Sequence, residues 1–257
     1  MTTIPRLYLD APLTAGASAP LSGPQTHYLK NVLRHGEGDA VRVFNARDGE
    51  FEAAIDTLGK KGGAVKLGAK LRAPEPEPDL WLLFAPVKRA AIDLIAQKAT
   101  ELGAARLQPV VTERTIAARV NEERLQAIAV EAAEQCGRLA PPAIVPPQKL
   151  SKVLDDWPKE RRLVYCDEAG DDPALEWGGR EGRARPMLDA LGGGAEVGSW
   201  AILIGPEGGF TAGERARLRG LDFVTPVTLG PRILRADTAV FAALALWQAA
   251  LGDFRRA

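Results

Sequence analysis

The segment Ala73-Pro-Glu-Pro-Glu-Pro-Asp79 divides this chain more firmly than any other feature. Proline has no backbone N–H, fixes its own φ and pushes the preceding residue toward extended backbone. Three alternating prolines form a stiff spacer that neither a helix nor an inner strand can contain. Whatever core the 257 residues build must be assembled on either side of it.

The two sides read differently. Before the spacer lie the alternating runs Ala40-Val-Arg-Val-Phe44, Glu50-Phe-Glu-Ala-Ala-Ile55 and Ala64-Val-Lys-Leu67. Arg47-Asp-Gly49 and Lys60-Lys-Gly-Gly63 separate them as turns, a hairpin-rich pattern. One short helix is expected over Pro24 to Arg34, ending at Gly36. Residues 1–72 thus read as a small β-barrel, 73–79 as the linker and 80–257 as a second domain. In that second domain strands alternate with helices. Strands are expected at 80–85, 107–111, 162–166, 200–204 and 224–229, and helices at 89–102, 121–138, 211–219 and 237–251. Such alternation implies a mainly parallel sheet covered on both faces, an α/β fold. Residues 167–199, dense in Gly, Asp, Glu and Arg, read as a long surface insertion with few apolar anchors besides Trp177, Met187 and Leu188.

Composition excludes several classes. The longest apolar run, Thr238 to Leu251, is too short to span a bilayer, and the first residues lack the layout of a secretion signal. Cys136 and Cys166 form no C-x-x-C pair, and His27 and His35 are the only histidines, so no metal site is expected. Both thiols read as inert and buried, in a cytoplasmic protein. Net charge is zero, with +3 on residues 1–72 and −3 on the rest, a slight basic bias of the first domain.

Chemistry concentrates in two loops. Leu203-Ile-Gly-Pro-Glu-Gly-Gly-Phe-Thr211 and Leu229-Gly-Pro-Arg-Ile-Leu-Arg235 each follow a strand and precede a helix. Glycine and proline at a strand end lie where ligands meet α/β sheets. No Lys-Ser/Thr follows the glycines, so the first loop is not a P-loop, and G-x-G-x-x-G spacing is absent. Taken singly, each is also an ordinary strand-to-helix turn; together they point to a pocket floored by backbone groups.

These two loops, the second extended through Ala236-Asp-Thr238, closely resemble the RsmE family of ribosomal RNA methyltransferases, of the SPOUT class. Gln97-Lys-Ala-Thr-Glu-Leu-Gly103, Glu131-Ala-Ala-Glu-Gln-Cys-Gly-Arg138, Pro5-Arg-Leu-Tyr8 and His27-Tyr-Leu-Lys-Asn-Val-Leu-Arg34 followed by Gly38-Asp39 resemble it too. The likeness spans nearly the whole chain; residues 167–199 depart from it by their length. It implies a PUA-like β-barrel followed by a SPOUT domain with a C-terminal trefoil knot, and a homodimer. It further implies S-adenosylmethionine as methyl donor, and methylation of ring nitrogen 3 of a uridine in small-subunit (16S) ribosomal RNA. On this reading Leu203, Ile204, Gly205, Glu207, Gly208, Leu229, Gly230, Ile233, Leu234, Arg235 and Thr238 hold the cofactor, largely through backbone groups. Thr238 has the alternative of capping the last helix. Methyl transfer to a neutral uridine nitrogen needs proton removal or stabilisation of the anionic ring. Arg235 and Arg232 supply positive charge, and Glu207 is the carboxylate available to accept a proton; its alternative is bonding to backbone donors at a helix start. Arg6, Lys30, Arg34, Lys88 and Arg89 are expected to touch RNA phosphates, or to be solvated basic side chains. Alternatives are a knotted methyltransferase acting on a ribose hydroxyl or transfer RNA, a non-catalytic RNA-binding assembly factor and, last, a nucleotide hydrolase.

Overall fold

A computed structural model describes residues 4–60, 62–116, 119–172, 174–192 and 198–255. The chain forms two compact units. The first holds residues up to Pro76 together with Val130–Pro141; the second holds Glu77–Ala129 and residues from Pro142 onward.

In the first unit β1 (Arg6–Tyr8), β2 (Ser18–Leu21), β3 (Ala40–Asn45), β4 (Gly49–Leu58) and β5 (Gly63–Arg72) form one mixed sheet in the order β1-β3-β4-β5-β2. Only β1–β3 is parallel. Alternation does its expected work in β3, where Val41 and Val43 point inward while Ala40 and Arg42 face out. The expected single helix is instead α1 (Gly23–His27), opened by a capping box of Ser22 and Gln25, and then a π-helical turn over Tyr28–Val32. The turn widens because the Leu33 N–H bonds the Tyr28 carbonyl, five residues back. Arg34, at φ +61°, ends it in the left-handed region.

The second unit carries a wholly parallel sheet. Its main elements are β6 (Leu80–Phe84), α2 (Arg89–Glu101), β7 (Arg106–Val111), the first half of α3 (Glu122–Cys136), β8 (Ala143–Ile144), β9 (Gln148–Lys149) and α4 (Leu150–Asp155). After them come β10 (Arg162–Cys166), β11 (Arg185–Pro186), α5 (Met187–Leu191), β12 (Trp200–Ile204), α6 (Ala212–Arg219), β13 (Val224–Thr228) and α7 (Ala236–Ala250). The strand order is β11-β13-β10-β12-β6-β7-β8, with β9 beside β7. β12 enters between β6 and β10, and β13 between β10 and β11, each joining strands that precede it in sequence. β12 is buried at every residue, as a central parallel strand requires. Helix starts follow local signals: the Asn121 carboxamide oxygen accepts from the Arg124 N–H, and Thr211 with Glu214 forms a capping box for α6. α7 buries Val240, Ala243, Leu244 and Trp247 in the larger core, packing against α2 and α5.

The expected surface insertion is partly ordered into β11 and α5, with Met187 buried and Leu188 exposed. Residues 173 and 193–197 of that stretch, and the first three of the chain, lie outside the described residues. No helix among the described residues is long and apolar enough to cross a membrane.

Candidate active site

Parallel strands place all their carboxyl ends on one edge of a sheet, and the outgoing loops converge there. β10 pairs with both β12 and β13, so three loops meet at one place: 205–211 after β12, 229–235 after β13 and the segment leaving β10 at Asp167. Between them lies a cleft lined by Tyr165 to Ala169, Trp177, Ile204 to Glu207, Gly209, Phe210, Arg215, Ile233, Leu234, Ala236 and Ala239.

The first loop is shaped by its glycines. A Cβ on Gly205 would lie 2.5 Å from the Phe210 ring, so only glycine lets that ring fold back onto the strand end. Phe210 in turn meets Tyr165 edge-on, centroids 5.1 Å apart. Gly209 has φ +67° and Gly230 has φ +118°, backbone that a side chain rarely tolerates.

The polar wall comes from the end of β10. Asp167, only 2 % exposed, accepts from Arg215 Nε at 3.0 Å and from Arg219 Nε at 2.8 Å. Arg215 also donates to the carbonyls of Ala169 and Gly170, tying the outgoing segment to α6. Glu168 accepts from the Leu229 N–H at 3.4 Å and the Thr228 hydroxyl at 3.3 Å. Burial pushes its carboxyl above the usual carboxylate range, against the pull of those two donors. Burial also raises the Cys166 thiol well above its ordinary value, so it stays neutral. Cys136, expected to be buried, is exposed at the last turn of α3.

Of the expected cofactor residues, Ile204, Gly205, Glu207, Ile233 and Leu234 line the cleft. Leu203 turns its side chain into the opposite core, beside Leu163 and Phe210. Gly208, Leu229 and Gly230 belong to the same two loops without lining the cleft, although the Leu229 N–H reaches Glu168. Arg232 and Arg235 are exposed on the second loop, on either side of Ile233 and Leu234. Thr238 is exposed and bonds Asp237, and the α7 cap position is Arg235. Glu207 is exposed; Thr211 and Glu214, not Glu207, supply the carboxyl and hydroxyl that cap α6. Missed in the sequence were Tyr165, Asp167, Glu168, Trp177 and Arg215. The signal for them is the β10–β12 pairing, which no local motif announces.

The basic residues separate. Lys30 and Arg34 are exposed, and the Lys30 ammonium touches the Leu58 carbonyl at 3.2 Å. Lys88 and Arg89 are exposed and line a groove with Arg119 and Arg124, the last paired with Asp93 at 2.7 Å. Arg6 corrects the expectation. Its guanidinium pairs with Glu50 at 2.8 Å, donates to the carbonyls of Ala133, Glu134 and Arg138, and lies over the Phe44 ring. Four of its five N–H donors are engaged within the first unit, so its main role there is to tie that unit together.

Residues 74–248 match the family described as an RNA methyltransferase domain, and residues 21–67 an RNA methyltransferase PUA domain. The architecture is therefore that of an RNA methyltransferase with an appended PUA domain. A Rickettsia conorii protein named ribosomal RNA small subunit methyltransferase E is 33% identical over 93% of both chains. A Bacillus subtilis protein of the same name is 29% identical over 87% of both. The solved Neisseria gonorrhoeae ribosomal RNA small subunit methyltransferase E, bound to S-adenosyl methionine, is 28% identical with a TM-score of 0.83, covering 98% of this chain and 100% of that one. A Legionella pneumophila methyltransferase solved with the same cofactor has a TM-score of 0.81 at 29% identity, covering 97% of this chain and 98% of that one. The chain belongs to the ribosomal RNA small subunit methyltransferase E family.

Proposed function

We propose that this protein transfers a methyl group from S-adenosylmethionine to ring nitrogen 3 of a uridine in 16S ribosomal RNA. The carrying observation is the cleft at the ends of β10, β12 and β13, on the two loops whose residues resemble the family's. Its chemistry fits the donor. Ile204, Phe210, Ile233, Leu234 and three alanines give apolar walls for a purine. The ionisable groups lining it are three carboxylates, the neutral Cys166 and Tyr165, and Arg215, which is already spent on Asp167. That balance suits a sulfonium cation and ribose hydroxyls better than a polyphosphate.

When bound, the donor supplies an electrophilic methyl group; no metal is required. Ile204, Gly205, Ile233 and Leu234 hold the adenosine portion, with main-chain groups of Leu203, Gly208, Leu229 and Gly230 alongside. Holding two reactants in line and excluding water is the main contribution open to such a site. Arg235 and Arg232, on the rim, place positive charge beside the uracil oxygens as the ring becomes anionic. Arginine stays protonated and is no base, so Glu207, facing the cleft without a helix to cap, takes the nitrogen's proton. Lys30, Arg34, Lys88 and Arg89 position the RNA through its phosphates. The enzyme works in the cytoplasm as a homodimer, and the late entry of β12 and β13 between earlier strands supports a C-terminal knot.

Mass mapping of nucleosides in ribosomal and transfer RNA from a deletion strain tests this reading. Loss of 3-methyluridine from 16S RNA, restored by the intact gene, is expected. Loss of a ribose methylation or of a transfer RNA modification instead contradicts it.

A further inference from the structure

The segment leaving β10 carries a feature that the family's loops do not account for. Trp177 is a non-glycine residue at φ +54°, a left-handed backbone that a bulky side chain rarely adopts. Strain of this kind persists only where surrounding contacts hold it. Here they do: the Gly170 N–H donates to the Trp177 carbonyl at 2.9 Å, and the Asp172 N–H to the Gly178 carbonyl at 3.0 Å. Arg215 anchors the base of the loop through Asp167, Ala169 and Gly170. These contacts fix the backbone and leave the side chain free to turn; its indole rests against the first glycine loop, where a Cβ on Gly209 would lie 3.2 Å from Trp177 Cζ3.

Trp177 lines two cavities at once. The inner one is the cleft described above, about 70 Å³ in volume. The outer one, also lined by Arg114, Gly208 and Arg215, is about 610 Å³. Pockets that hold ligands of nucleoside size run to roughly 300–1,000 Å³. The inner cleft as it stands is therefore too small for a methyl donor, and ample space lies on the other side of the Trp177 ring.

We propose that Trp177 is an aromatic lid on the methyl-donor cleft: its indole swings out to admit the donor and closes over it. The lid is a positioning residue and rests on the reading of the cleft as the donor site. A swinging lid slows entry and exit alike, since both need the same opening.

The test is surface plasmon resonance of the full chain with S-adenosylhomocysteine, comparing wild type with Trp177→Gly, Trp177→Asn and Trp177→Phe. Glycine and asparagine both accept a left-handed backbone, so neither loses the fold of the loop. For both, association and dissociation rate constants should rise together by about tenfold, leaving Kd within about threefold, because opening no longer limits either step. Trp177→Phe, which keeps a ring, should stay within about twofold of wild type. Unchanged rates in the glycine and asparagine variants overturn the lid, as does slower association. Wild-type protein that binds no S-adenosylhomocysteine overturns the donor-site reading itself, a result separable from unchanged kinetics.

Discussion

A methyl group on Gly205 would press on a ring that is itself wedged between the glycine loop and Tyr165. Overpacking of this kind typically costs about 1–3 kcal/mol, because the neighbours must leave their rotamers. Gly205→Ala should lower the melting temperature and weaken S-adenosylhomocysteine binding together; calorimetry showing wild-type affinity would place the cofactor elsewhere. Arg235 works differently. Its side chain is exposed on the rim, outside the cleft lining, so it has little to offer the adenosine portion. Arg235→Ala should lower the single-turnover methylation rate by about 10²-fold, the scale of losing one group that stabilises developing charge. The Kd for S-adenosylhomocysteine should stay within a small factor; equal losses in both would show that Arg235 holds the donor. Much at this scale was legible. Gly205, Glu207, Ile233 and Leu234 stand in loops whose glycines and prolines mark them. Asp167, Glu168 and Arg215 were not, because their importance arises from which strand lies beside which. The internal bonds of Arg6 were not legible either, because a basic residue engaged inside its unit looks the same in sequence as one that is free.

Helix α3 shows how an element can serve two units. It begins among second-unit residues and ends packed in the first, where Ala133 and Leu139 cluster with Phe44 and Tyr8. Glu134, on its last turns, accepts from the Tyr8 N–H at 2.9 Å. Burial raises its carboxyl to about 7, with neighbouring Glu131 pushing the same way and the Tyr8 N–H and Arg6 opposing. A carboxyl raised in the folded state keeps a proton that the unfolded chain has already released. Stability from this group is thus greatest at low pH and falls as pH rises through the raised value. Thermal melts between about pH 5 and pH 8 should show that decline in wild type and a flatter profile in Glu134→Gln, which also should be the more stable at the alkaline end. Parallel profiles would mean that Glu134 is ionised throughout. Element types and positions in the long runs followed from periodicity and caps. The short pieces β8, β9, β11 and α4 did not, since two to six residues carry no period, and the π-helical turn after α1 has no sequence signature of its own.

At the scale of the molecule, alternation of strand and helix announced a parallel sheet, but not its order. The placement of β12 and β13 between earlier strands depends on long-range pairing, and that pairing is what assembles the cleft. The same long-range packing complicates any domain deletion. Removing residues 1–72 would strip Ala133 and Leu139 of Phe44 and Tyr8 and expose that face of α3. Charge reversal is the cleaner test of RNA contact. Lys30→Glu with Arg34→Glu should weaken RNA binding and flatten its dependence on log salt by about one unit per lost phosphate contact, while S-adenosylhomocysteine affinity stays unchanged. An unaltered salt slope would remove both residues from the RNA path. The expectations for Gly205, Arg235 and Trp177 depend on one location for the donor. A crystal structure of the full chain with S-adenosylhomocysteine tests it most directly. Density for the ligand between residues 204–210 and 229–236, against the end of β10, is the predicted result; well-ordered ligand bound anywhere else would contradict the account.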